Sequence, residues 1–167
     1  FGLQPVTYNG VSLTTQITDE IGFHVGVVND VYSDTDLSGD NDKAYVGQIS
    51  YTGDAFGLNI GGIIGDADAG ECGIDPTSNQ AADCQVSLVD VVLSADPTDN
   101  LSLWVNYDWK HTNGEGATDS GNTHGISGAG RFAISDDMGI ATRVEYITTD
   151  FDGLGEDLEF MTVTGTV

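Results

Sequence analysis

The chain has 167 residues, 39% of them hydrophobic, and its 27 Asp plus Glu against 4 Lys plus Arg give a formal net charge of −23. That balance excludes a nucleic-acid binder, because Lys43, Lys110, Arg131 and Arg143 cannot form the basic stripe that phosphate backbones require. The longest apolar stretches, such as Leu58 to Ile64, fall far short of the ~20 residues of a spanning helix, so a helical membrane protein is excluded too.

In chain order the residues alternate with a period of two. Asn9 to Thr18 sets Val11, Leu13, Thr15 and Ile17 against Ser12, Thr14 and Gln16, and Asp19-Glu20 closes a tight turn. Ile21 to Val28 puts Ile21, Phe23, Val25 and Val27 on one side and Gly22, His24 and Gly26 on the other. After a long acidic connection to about Lys43, Ala44 to Thr52 carries Tyr45, Gly47, Ile49 and Tyr51 opposite Val46, Gln48 and Ser50. A short GDAFG connection leads to Leu58 to Gly65, and a second long loop runs to about Gln85.

Val86 to Lys110 reads as a hairpin around a polar turn at Asp96 to Asn100. Its second strand separates Leu101, Leu103, Val105, Tyr107 and Trp109 from Ser102, Trp104, Asn106 and Asp108. Its first places Asp90 among Leu88, Val92 and Ser94, where a carboxylate needs water or a partner. A third long loop, His111 to Thr123, precedes His124 to Ile134, with Ile126, Gly128, Gly130, Phe132 and Ile134 aligned. The turn SDDMG leads to Ile140 to Thr148, where Thr142, Val144 and Tyr146 oppose Arg143 and Glu145. A fourth loop precedes a last strand near Glu159 to Val167, whose facing the sequence leaves open.

The pattern is all-β: an antiparallel up-and-down meander of about nine strands whose connections alternate short and long. A meander needs only short hairpin loops, so lengthening at one end means that the two ends meet different environments. Outer-membrane barrels have this asymmetry, and the strands have the ~9 to 11 residues that a tilted transmembrane strand requires. In such a barrel the apolar face meets lipid. The lumen then receives His24, Asp90, Asp108, Arg131, Arg143 and Glu145, together with neutral polar residues such as Ser12, Gln48, Asn59, Asn106 and Ser127. Tyr8, Tyr45, Tyr51, Tyr107, Trp109, Tyr146 and Phe160 lie mostly near strand ends, as interfacial aromatics do, and Gly22, Gly26, Gly61 and Gly125 suit a crowded interior.

The segments FGLQPVTYNGVSL, GFHVGVVND, DPTDNLSLWVNYDW and SDDMGIATRVEYIT resemble β-barrel porins of the OmpL-like type. The likeness runs over most of the chain and is one of texture, without a catalytic motif. It implies a bacterial outer-membrane pore, in contact with membrane lipid, through which small solutes diffuse, and it leaves room for homo-oligomers. The chain starts without a signal peptide and ends on TVTGTV rather than an aromatic strand, and an odd strand count does not close a bacterial barrel. Residues 1–167 are therefore expected to be one domain, an internal fragment of a larger barrel.

The loops carry two further constellations. Asp34, Asp36, Ser38, Asp40 and Asp42, with Gly39, resemble the first half of a Ca²⁺-binding EF-hand loop, but Tyr45 stands where the bidentate Glu belongs. Cys72 and Cys84 both fall in the second long loop, where a disulfide is the natural reading in an oxidising compartment. No nucleophile elbow or phosphate-binding loop occurs, so no enzyme and no cofactor is expected. Arg131 and Arg143, near Glu145, would bias solute charge in a pore, or equally form ion pairs with Glu145 that merely satisfy one another inside the barrel. Alternation alone also permits a secreted, calcium-stabilised β-sandwich or adhesin-type binding module, with the apolar faces packed between two sheets.

Overall fold

The computed structural model describes residues 8–31, 43–67, 84–114, 120–151 and 157–166. Among these, nine strands form one sheet: β1 (Gly10–Gln16), β2 (Ile21–Val28), β3 (Ala44–Thr52), β4 (Phe56–Ala67), β5 (Cys84–Thr98), β6 (Leu101–Gly114), β7 (Gly121–Ala133), β8 (Gly139–Phe151) and β9 (Leu158–Thr166). Their order in the sheet is their order in the chain, and every neighbouring pair is antiparallel. This is the expected meander. The two-sheet sandwich is not formed, because each strand touches only the strands before and after it in sequence. β1 and β9 are the two edges and share no contact among the described residues.

The short connections are built from local polar chemistry. In the first, the Thr18 hydroxyl accepts from the amides of Glu20 (3.2 Å) and Ile21 (3.0 Å), a turn that spares the backbone its ladder partners. In the second, the Gly53 amide donates to the Phe56 carbonyl at 3.0 Å. The third is tighter than the sequence suggests. β5 runs on to Thr98 and only Asp99 and Asn100 turn, with Thr98 Oγ1 donating to Asn100 Oδ1 at 2.8 Å. The register slips between Ala95 and Thr98, where Pro97 has no amide to contribute. The fourth closes through the amides of Ile134 (2.8 Å) and Ser135 (3.0 Å) on the Met138 carbonyl.

The central strands are also longer than their apolar runs. β5, β6 and β7 reach into stretches read as loops, pairing Gln85 with Asn113 and His111 with Asn122. Backbone pairing needs no apolar side chain, so the ladder continues past the end of the hydrophobic pattern.

Burial is inverted relative to a soluble sheet. The apolar face is open: Val105 is 45% exposed and Ile126 51%. On the opposite face Asn106 is 7% exposed and Asp108 5%. Side chains on the inner side of a curved sheet converge and shield one another, whereas those on the outer side splay apart. The register puts Ser12, Gly26, Val46, Ile63, Leu88, Lys110 and Thr123 on this inner side, in one row across seven strands.

Candidate functional site

All six charged or titratable residues expected in a lumen project from the inner face. One row, read across the ladder, runs Thr14, His24, Gln48, Gly61, Asp90, Asp108, Gly125, Ile147 and Phe160. The next row toward the short turns runs Ser50, Asn59, Val92, Asn106, Ser127, Glu145 and Thr162. Below it lie Gly57, Ser94, Trp104, Ala129, Arg143 and Thr164, and below these Ser102, Arg131, Ala141 and Thr166.

Within these rows the residues interact selectively. Asp90 and Asp108 are direct cross-strand partners, and Asn106 Nδ2 donates to Asp90 Oδ1 at 2.5 Å. His24 lies in the same row but three strands away, ~14 Å at the usual strand spacing. It is hydrogen-bonded instead to Thr14, with Oγ1 and Nδ1 2.8 Å apart. Arg143 Nη2 donates to Glu145 Oε2 at 2.9 Å, since residues two apart on a strand share a face. Arg131 lies opposite Ala141, two rows from Glu145 on the neighbouring strand.

The glycines on this face make room for their neighbours. A Cβ on Gly26 would sit 2.9 Å from Ser12 Cβ and 3.0 Å from Val46 Cγ2, closer than side chains pack. Gly61 is different, with nothing nearer than 3.6 Å.

The expected lumen face was polar and mixed in charge, and the structure adds an apolar end to that face. Toward the long connections the inner face of β2 to β5 carries Val28, Ala44, Ile63, Val86 and Leu88, all buried, with Val31 folded onto them just after β2. Tyr8 packs against the same cluster and donates from Oη to the Val31 carbonyl at 3.4 Å. The phenol is pushed up to about 12 from the ordinary value of 10.0, first by burial and then by the Asp30 carboxylate. A clue stood in the sequence: Val46, Ile63, Val86 and Leu88 break the polar side of their strands on the side of the long loops.

The outer face has its own order. Tyr45, Tyr51, Tyr107, Trp109 and Tyr146 belong to it, whereas Phe160 pairs with Ile147 on the inner face, a correction to the aromatic assignment. Near the long connections of β6 and β7 the outer side chains link up. Trp109 Nε1 donates to Asn122 Oδ1 at 3.2 Å, Trp109 stacks on His111 with centroids 6.0 Å apart, and Tyr107 Oη is 2.9 Å from His124 Nδ1. The sequence offered no role for His111 or His124, and only the register brings them to this band.

Two predicted groups fall wholly or partly outside the described residues. Asp34, Asp36, Ser38, Asp40 and Asp42 lie outside the described residues, as does Cys72. Cys84 opens β5 and is buried in the apolar cluster, and no cysteine among the described residues is free. Among the described residues no group of three or more His, Cys, Asp or Glu is arranged to hold a metal ion.

Comparison with known proteins gives one match. A family model described as "Putative beta-barrel porin-2, OmpL-like" covers residues 1–167. No curated protein and no solved structure matches the chain.

Proposed function

The chain belongs to this family of β-barrel porins, not to an enzyme family, and from that premise we propose that its inner face lines a water-filled path for passive diffusion of small solutes or ions across a bacterial outer membrane. The observation that carries the reading is the inversion of burial. Asn106, Asp108 and Ser127 are buried, while Val105, Tyr107, Ile126 and Val144 are exposed. A sheet stable in water hides the second set, and a sheet in a bilayer hides the first. Selectivity then falls to the charged inner rows, where Asp90 and Asp108 face Arg143 and Arg131 along the direction of transit.

The band of Tyr107, Trp109, His111, Asn122 and His124 supports lipid as the outer partner. Rings with a polar tip suit the boundary between headgroups and hydrocarbon. The same reading takes Cys84 to be bridged to Cys72, an oxidised pair suited to a compartment outside the cytosol.

Reconstitution of the full chain in planar bilayers is the test. Discrete conductance steps and heat-modifiable migration on detergent gels are expected. A chain that stays monodisperse in buffer without detergent and never conducts would refute the channel.

A further inference from the structure

We propose that Trp104, Arg131 and Arg143 form a binding station for small planar aromatic carboxylates on the inner face, near its short-turn end; it deepens the pore reading above and rests on it. The chain has only four Lys or Arg against 27 Asp plus Glu. Both arginines nevertheless fall beside one inner-face indole. Arg143 shares the row of Trp104, separated from it only by Ala129. Arg131 faces Ser102, one step along β6 from Trp104.

The pieces are arranged as a ledge. The methyl group of Ala129 is short enough for Arg143 to reach past, and its Cζ lies over the Trp104 ring, 5.9 Å from the centroid. Glu145 holds the same guanidinium at 2.9 Å from the next row, which fixes the direction of its plane before any solute arrives. On the other side of Trp104 the row continues with Ser94 and Gly57, both small, so no bulky side chain closes the ledge toward β4. Trp104 is half-buried and Arg131 is exposed.

The charge is also local. Glu145 offsets one guanidinium, and Arg131 supplies a second, one row nearer the short turns that carry Asp99, Asp136 and Asp137. Asp90 and Asp108 lie two rows from Trp104 and Arg143 and three from Arg131, at least ~13 Å along the strands, beyond the ~8 Å screening length at physiological salt. A carboxylate matches the guanidinium fork through two parallel N–H···O bonds, and an aromatic ring attached to it stacks on the indole. Neither half suffices alone, so acetate and a neutral benzamide should both bind less well than benzoate.

Benzoate is the probe, and Trp104 reports it. The full chain carries two tryptophans, and Trp109 belongs to the outer face, so Trp109→Phe leaves Trp104 as the single indole. In detergent micelles, benzoate should change Trp104 emission saturably, with acetate and benzamide giving no saturation over the same range. Arg131→Gln should weaken the response about tenfold, as loss of one charge-assisted contact does. Arg143→Lys keeps the charge and a partner for Glu145 while removing the plane, so it should also weaken binding where a structural role alone would not.

A flat titration, or equal binding of benzoate and benzamide, overturns the station, as does a response indifferent to both arginine variants. KCl conductance in planar bilayers separates the two readings. Conductance with a silent Trp104 removes the station and leaves the pore, whereas saturable binding without conductance removes the pore and leaves the ledge.

Discussion

Asn106 and Asp90 join β5 to β6 across the inner face. The Asn106 amide nitrogen donates to Asp90 Oδ1 at 2.5 Å and to the Val91 carbonyl at 3.3 Å, and Asn106 itself is buried. One amide therefore ties a carboxylate and a backbone carbonyl of the adjoining strand. Asn106→Leu should cost about 1–3 kcal/mol, because buried acceptors lose their donor. Asp90→Asn keeps a carbonyl oxygen to accept and should cost less. Urea unfolding of the detergent-folded protein measures both, and the reverse order would mean that the amide does not secure Asp90.

A charge on the outer face distinguishes lipid from water. Ile126 lies near the middle of β7 and is exposed, so a soluble sheet would tolerate Ile126→Lys. In a bilayer the same change should destabilise the folded state by roughly 2–4 kcal/mol. Thr162→Lys, on the inner face opposite Glu145, is expected to change stability by less than about 0.5 kcal/mol. Folding yields into lipid vesicles of the two variants give the comparison.

Gly65 permits the closest approach of β3 and β4. A Cβ there would lie 2.5 Å from Ala44 Cβ and 2.6 Å from Ala44 Cα, and the second is backbone that cannot swing away. Gly65→Ala should cost about 1–3 kcal/mol through forced strand separation. Thermal unfolding followed by circular dichroism would show it as a lowered midpoint.

Tyr8 makes one end of the molecule sensitive to alkali. Its pKa is raised from 10.0 to about 12, so the native state holds the phenolic proton more tightly than the unfolded chain. The stabilisation is complete below pH 10 and disappears as pH climbs from 10 toward 12. Absorbance at the phenolate wavelength should show a late-titrating component that is lost in Tyr8→Phe. A titration curve unchanged by Tyr8→Phe at its alkaline end would mean that the phenol is not held against the Val31 cluster.

A bridge is expected between Cys72 and Cys84. Intact protein should take up no thiol-alkylating reagent until reduced and two equivalents afterwards, read by mass. In the chain-entropy model closure of such a loop is worth ~3 kcal/mol, so Cys84→Ser should lower stability by about that amount.

The facing of eight strands was legible because a period of two persists in each, even where Val46, Ile63, Val86 and Leu88 interrupt its polar side. The ninth resisted because Phe160 and Met161 are adjacent and apolar, so either could be turned inward. Its pairing with β8 decides the matter, setting Thr162 beside Glu145 and Thr164 beside Arg143. Strand ends were less visible than faces. Gln85, Asn113 and Asn122 have the polarity of loops, yet their backbones continue the ladder. Least accessible of all was the contact of Arg143 with Trp104, residues 39 positions apart by number whose strands are not even adjacent. It depends on the register of two hairpins at once, and no spacing in the chain encodes that sum.

The open apolar face has a consequence before any membrane is reached. On the proposal that Val105, Ile126 and Val144 meet lipid, the same residues are presented to other copies of the chain while still in water, and edge strands such as β1 and β9 offer each copy a template for pairing. A net charge of −23 opposes such encounters by colloidal repulsion. The acids thereby act as an electrostatic dispersant for the insertion-competent chain, and raising the salt should hasten its precipitation before it changes anything about the folded barrel wall.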